Sequence, residues 1–437
     1  MVRFMKKGIV ALLIGLAVLI LVSPGLIGRL AERSIDENIR VGTVENDEVV
    51  VSAQVFQRGW FTTEGEHRIE FKDGAFAEQY RALLGLAPDA PLPALIINTR
   101  VDHGVIPVSS MGREDGSLRP GLGDAISTIR IEMPDGELVD VPGVVNSSVG
   151  FTGSMRSEYT LPAGSVDADS GRLAWGDGRI EIETRPSDNR IRFDAALDEL
   201  TAPDSAMPLT IKGFTIEGEQ TPSRYGFLVG SAETTFDSFD AGGNITGPLR
   251  VSFGSRIVDE KLALDLATEF ASPDTASGPS RTVLDLHLAG VDPVAFGRFV
   301  RRYQSLVLDS DSPDAMSRLL EPELRRVVAG GMSLDVERLD AELLGGRLES
   351  SFDVYVEPRD EIDTPWSAVL LATHATGSIR MNDSLVDMLI AMNPQAGAVV
   401  GMGYLKQDGD AFVTEIEYAK GILTINGAPM TIPLAAP

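Results

Sequence analysis

Residues 330–358 read GGMSLDVERLDAELLGGRLESSFDVYVEP, two strand-like runs on either side of a second glycine pair. In the later run Phe352, Val354 and Val356 alternate with Asp353, Tyr355 and Glu357, a period of two that collects apolar side chains on one face of a strand. Leu284, Leu286 and Leu288 alternate in the same way with Asp285 and His287, and Leu262, Leu264 and Leu266 repeat the pattern. Explicit turn sequences separate such runs: WGDG at 175–178, RPSDNR at 185–190, AGGN at 241–244, QDGD at 407–410 and ING at 425–427. Ile180 and Ile182 before RPSDNR, and Ile191 and Phe193 after it, read as two arms of a hairpin. Repeated hairpins without long intervening helices predict an α+β chain that is predominantly β, with long antiparallel sheets and a few packed helices.

The helices are expected late in the chain. Asp292 followed by Pro293 gives a cap and a first-turn proline, after which Phe296, Phe299, Val300, Tyr303 and Val307 share a helical face. A second helical stretch, 314–329, is expected to be divided by Pro322 and stopped by Gly330 and Gly331. A third runs from Ser384 to Met392, with Leu385, Met388, Leu389 and Met392 as its buried stripe. In the first half only FAEQYRALLGL, 76–86, has a helical pattern. Linker composition at 272–280 and 309–314 and the change from strands to helices near residue 290 suggest three parts: an anchor at 1–28, a β-rich region at 29–290, and helices interleaved with hairpins at 291–437.

The 437 residues carry a formal charge of −26, and residues 1–28 hold only Arg3, Lys6 and Lys7. Without those three positive charges the remainder stands at −29, a surface that repels polyanions and argues against nucleic acid as a partner. Cysteine is absent, which excludes disulfides, thiolate nucleophiles, iron–sulfur clusters and a lipoprotein cysteine. Residues 8–28 form an uncharged run of 21 residues behind MVRFMKK. At ~1.5 Å per residue it spans ~30 Å, one bilayer core. The competing reading, a cleaved signal peptide, calls for a shorter apolar core and a small-x-small site, and the run continues through Pro24–Ile27 without one. The expectation is a retained single-pass anchor with the bulk of the chain on the far side of the membrane.

Catalytic signatures fail one by one. No lysine follows a glycine, so there is no P-loop; no G-x-S-x-G elbow and no H-E-x-x-H occur. Asp309, Asp311 and Asp314 imitate a calcium loop, but Pro313 occupies a ligand position. No cofactor and no metal are expected. VDHG at 101–104 is the most catalytic-looking string, yet on an extended chain Asp102 and His103 point to opposite faces, so His103 needs a distant partner to act as acid or base. Arg298, Arg301 and Arg302, with Arg325 and Arg326 further on, form basic clusters suited to lipid phosphates or an acidic partner, or to a solvated helix face.

The stretch VFQRGWFTTEGEHRIEF, 55–71, keeps one phase from Val49 to Phe71 through Gly59, which fits a long strand bent at Gly59 better than a hairpin with an odd-length loop. Phe56, Arg58 and Trp60 then stand in a row suited to cation–π stacking. Taken with VDHGVIP and with GYLKQDGDAFVTEIEYAKGILTINGAPM at 403–430, behind a short apolar N-terminus, this stretch resembles the YdgA-like bacterial envelope family over nearly the whole chain. The resemblance implies an inner-membrane anchor, a periplasmic bulk and no established biochemical function. It lends no catalytic residues. The family-like positions are Arg58, Gly59, His103, Gly104, Asn426 and Gly427, the glycines and Asn426 as turn or bend chemistry. The functional expectation is a non-enzymatic envelope scaffold or binding protein contacting lipid or envelope partners, through candidates Arg58, Trp60, His103, Arg298, Arg301 and Arg302. The alternatives are an enzyme acting on envelope material through His103, and a sensor or assembly factor binding a basic partner.

Overall fold

The computed structural model describes residues 49–430, apart from 60, 73–76, 78–89, 105–120, 135, 169–170, 204–207, 243, 273–278, 310–312, 344, 360–364, 393–396 and 398–399. The N-terminal apolar run, nearly all of the 76–86 helix and Trp60 therefore lie outside the described residues. Strands dominate, every pairing between them is antiparallel, and four helices occur among the described residues. None of those helices is long and apolar enough to cross a membrane.

Two compact units divide the chain; of the described residues, the first takes those up to Pro162 together with Asp177–Asp194, and the second takes Ala163–Gly176 and everything from Ala195. Residue 290 falls inside a strand of the second unit. The first unit begins with β1 (Val49–Arg58), β2 (Thr62–Phe71), β3 (Ala94–His103) and β4 (Gly123–Glu132), each paired with the next. Short β5 (Leu138–Asp140) and then β6 (Val144–Val149) share the far edge of β4, and β6 pairs with β7 (Met155–Leu161). After the hairpin β8 (Gly164–Ala168) and β9 (Gly171–Trp175), which belongs to the second unit, β10 (Gly178–Arg185) pairs with β7.

Residues 49–71 form a hairpin, not a bent strand. Val49 lies opposite Phe71 and Val51 opposite Ile69, so the shared phase is that of cross-strand partners. Beyond an irregularity between Ala53 and Val55 the register changes, and Arg58 meets Thr63, with the Gly59 amide donating to the Thr62 carbonyl at 2.7 Å. The tight turn reverses the phase and the bulge restores it, which is why the sequence shows no break.

Strand β11 (Arg190–Ala202) begins in the first unit and from Ala195 belongs to the second, which continues into β12 (Leu209–Pro222), β13 (Leu228–Phe236), the small hairpin β14 (Ser238–Ala241) and β15 (Asn244–Thr246), then β16 (Leu249–Val258), β17 (Lys261–Ala271) and β18 (Pro279–Val291). Helices α1 (Pro293–Asp309) and α2 (Pro313–Ala329) follow, then β19 (Met332–Leu343), β20 (Gly346–Val356), α3 (Trp366–Leu371), β21 (Thr373–Asn382) and α4 (Asp383–Met392). The chain ends in β22 (Lys406–Asp408), β23 (Ala411–Ala419), β24 (Ile422–Ile425) and β25 (Ala428–Met430). Hydrogen-bonded neighbours run β12, β13, β16, β17, β18, β19, β20, β21, β23, β24, β25, a meander into which the helices are inserted.

Local chemistry sets the helix ends. The Asp292 carboxylate accepts from the amides of Val294 and Ala295 at 2.8 and 2.9 Å, capping α1. Helix α2 runs through Pro322 without dividing, because Leu320, Val327 and Ala329 bury the same helix on both sides of it. Gly330 and Gly331 then close it, the latter at φ +85. Helix α4 buries Leu385 and Val386, whereas Met392, expected in its stripe, is 69% exposed. The core of the second unit gathers Leu262, Val291, Ala295 and Val327 between α1, α2 and the sheet, with Ala329, Val356 and Val369 beside it.

Candidate functional site

Register turns the alternation of the second unit into ladders. Phe253 lies opposite Leu266, Leu266 opposite Leu286, Leu286 opposite Val336 and Val336 opposite Phe352. The ladder continues through Gly377, Ile416 and Ile425, eight strands in all, about 34 Å at the ~4.8 Å spacing of neighbouring strands. The neighbouring row is equally apolar: Leu264, Leu288, Leu334, Val354, Ala375, Tyr418, Leu423 and Met430. A Cβ on Gly377 would meet the Phe352 ring at 2.4 Å, so that ring lies across the glycine and fills the one gap in the ladder.

Helices cover the ends of this face and leave its middle. At one end α1 and α2 seal Leu262 and Val291 completely, and α3 buries Val369 against Val356. At the other end α4 sits on β20, where a Cβ on Gly346 would stand 2.4 Å from that of Leu385. Between them none of the Phe253-to-Ile425 ladder is buried: Phe253 is 41% exposed and the other side chains are half-buried. A two-layer domain normally covers such a face with a second layer. Here no second layer of described residues closes over the middle of an apolar face about 34 Å wide, which stays half-exposed.

The opposite face of the same strands is charged. Asp265, His287, Asp335, Asp353, Thr376 and Glu417 form the corresponding ladder. His287 Nδ1 lies 2.5 Å from one Asp265 oxygen and Arg256 pairs with the other. Burial alone would raise the Asp265 pKa, but the hydrogen bonds from His287 and Arg256 outweigh it and hold the carboxyl below its ordinary value. These groups line an open concavity of about 620 Å³ with Asp285 and Glu337. The hydroxyl there, Ser252, is spent on Glu233 and supplies no nucleophile to the His287–Asp265 pair. Among the described residues no group of three or more histidines and carboxylates converges as a metal would need.

The sequence candidates do not converge on this face. In the first unit His103 is 1% exposed, and its Nε2 lies 3.1 Å from the hydroxyl of Thr63, itself 2% exposed. Asp102, fully buried, stands opposite Asp124 on the other face of β3, with Arg100 3.6 Å away. The backbone of Arg58 ends β1, and Gly104 adopts φ +137 where its amide donates to Leu122. In the second unit Arg298, Arg301 and Arg302 are exposed on α1. Asn426 and Gly427, at φ +52 and +80, close the β24–β25 hairpin as a two-residue turn. Asn426 does more than turn the chain: its side chain accepts from the Glu415 amide and donates to the Gly403 and Tyr404 carbonyls. His287 and the half-exposed ladder carry no motif; only the alternations at 262–266, 284–288 and 352–356 pointed toward them.

Residues 5–433 match a family described as a bacterial protein of unknown function, DUF945. The chain belongs to that family. The match covers nearly the full length, in keeping with the YdgA-like resemblance of its motifs. No curated protein and no solved structure matches the DUF945 chain.

Proposed function

We propose that this DUF945 protein is a non-enzymatic, membrane-anchored protein of the bacterial envelope whose second unit holds the apolar chains of lipid or lipid-linked material. The carrying observation is the Phe253-to-Ile425 ladder, apolar in every strand it crosses and left half-exposed between the helices. Water on such a face costs ~25 cal/mol for each Å² of apolar surface, a standing free-energy gain for any apolar chain laid along it. The uncharged run at 8–28 supports a single-pass inner-membrane anchor with the two units in the periplasm, next to a source of such chains. Burial of both Thr63 and His103 supports a packing role for that pair over an acid–base role, since neither side chain meets solvent.

The test is retention of lipid by the purified full chain. Mass spectrometry of protein released from detergent should find bound acyl lipid, and a fluorescent fatty acid should be displaced by lipid extract. Leu286→Gln and Val336→Gln, placed in the open middle of the ladder, should reduce retention at least fivefold while thermal unfolding stays cooperative. Absence of bound lipid, or full retention by both folded variants, removes the proposal.

A further inference from the structure

Among the described residues most arginines are spent on a neighbouring carboxylate. Arg156 and Arg179 pair with Glu181 at 2.7 and 2.6 Å, Arg250 with Glu233 at 2.8 Å, Arg281 with Glu269 at 2.7 Å, Arg338 with Asp340 at 2.7 Å and Arg347 with Glu349 at 2.8 Å. Even on α2, Arg325 and Arg326 pair with Glu321 and Glu323. With 64 acidic against 38 basic residues, that outcome is expected by supply alone.

Helix α1 breaks the rule. It contains no acidic residue before Asp309, and among the described residues neither Arg298 nor Arg301 has a carboxylate within ion-pair distance. At 100° per residue, Val294, Arg298, Arg301 and Arg302 fall within an arc of about 100°. All four are exposed, Val294 at 49%. The stripe is held rigidly from beneath. Arg301 donates one N–H to the Tyr225 carbonyl at 3.2 Å, and Gly297 lets α1 close on that segment, since a Cβ there would stand 2.4 Å from the same oxygen. Phe296 packs edge-on against Phe227 with ring centroids 5.1 Å apart.

We infer that this stripe of α1 docks on the phosphate-bearing headgroups of an anionic lipid bilayer. Charge complementarity selects the occupant: Arg298 and Arg301, without carboxylates among the described residues, in a chain of net charge −26, suit a dense array of phosphates. Guanidinium groups take phosphate oxygens bidentately, and Val294 among them suits the boundary where headgroup meets acyl chain. The inference deepens the lipid-contact reading by giving it a headgroup side, and it rests on that reading only for the membrane's proximity.

The lack of native cysteine makes the test clean. The full chain carrying Val294→Cys, labelled with an environment-sensitive dye, is examined with vesicles of phosphatidylcholine alone and with phosphatidylglycerol added. The dye should shift to the blue, and be quenched by headgroup-level spin label, only on the anionic vesicles, and ~0.5 M NaCl should reverse both. Arg298→Gln with Arg301→Gln should weaken the effect about 25-fold, about fivefold for each arginine at the ~1 kcal/mol a basic residue gains beside an anionic surface. Equal signals on both vesicle types, no shift on either, or a shift untouched by the double substitution overturns the inference. Lipid retention by Leu286→Gln is read separately, in phosphatidylcholine, so loss of the apolar site and loss of the headgroup site are told apart.

Discussion

Asn426 shows how much one turn residue can hold. Its backbone takes φ +52, which asparagine tolerates better than most residues, while its side chain joins the middle of β23, at the Glu415 amide, to the carbonyls of Gly403 and Tyr404 at 2.9–3.0 Å. Asn426→Gly keeps the turn and removes the three side-chain bonds; at ~0.5–1.5 kcal/mol for each net hydrogen bond it should cost about 1.5–4.5 kcal/mol. Asn426→Ala should cost roughly 1 kcal/mol more, through the left-handed backbone. Urea unfolding of both variants measures this. A glycine variant as stable as the parent would reduce Asn426 to a turn former. The ING motif was legible in the sequence as a turn, but its second role was not, because Gly403 and Glu415 come beside it only after β23 has folded back. The same holds for His103, whose partner Thr63 lies on β2, forty residues away in the chain.

Single elements were legible where one pattern suffices. The alternation at 284–288 and 352–356, the Asp292 cap and the glycine stop of α2 all reappear in the structure. The hairpin of β1 and β2 escaped because a turn and a bulge cancel in phase, and Pro322 failed to divide α2 because packing on both sides outweighs one lost hydrogen bond. Nor could a strand pattern say which rows a helix covers; that depends on where helices return to the sheet. Adjacent glycines test the α4 end of the face. Gly345 has φ +78 and open space around it, so Gly345→Ala should cost only the backbone term, roughly 1 kcal/mol. Gly346 faces the Leu385 backbone, with Cα at 2.7 Å and N at 2.9 Å from a built Cβ, and backbone cannot swing aside. Gly346→Ala should therefore push α4 off β20, costing about 1–3 kcal/mol, and speed amide exchange over Asp383–Met392. Equal costs and unchanged exchange at the two positions would mean that α4 does not seat on β20.

Across the whole molecule, two electrostatic effects oppose each other. Many exposed pairs, such as Arg68–Glu70 and Arg224–Glu260, contribute little to stability and are weakened by salt. Against them stands a formal charge of −26, whose self-repulsion salt also weakens, and which acts on the compact state more than on the expanded chain. Pairs this exposed are screened locally by water already, whereas repulsion among the surplus carboxylates sums over every pair within a Debye length of ~30 Å at 0.01 M, shrinking to ~8 Å at 0.15 M. The repulsive sum is the larger, so raising NaCl from about 0.01 M to about 0.15 M should raise the unfolding temperature by a few degrees. Thermal unfolding followed by circular dichroism across that range decides the sign. A fall in midpoint would show that the arginine–carboxylate pairs, and not the surplus charge, dominate the stability of the folded chain.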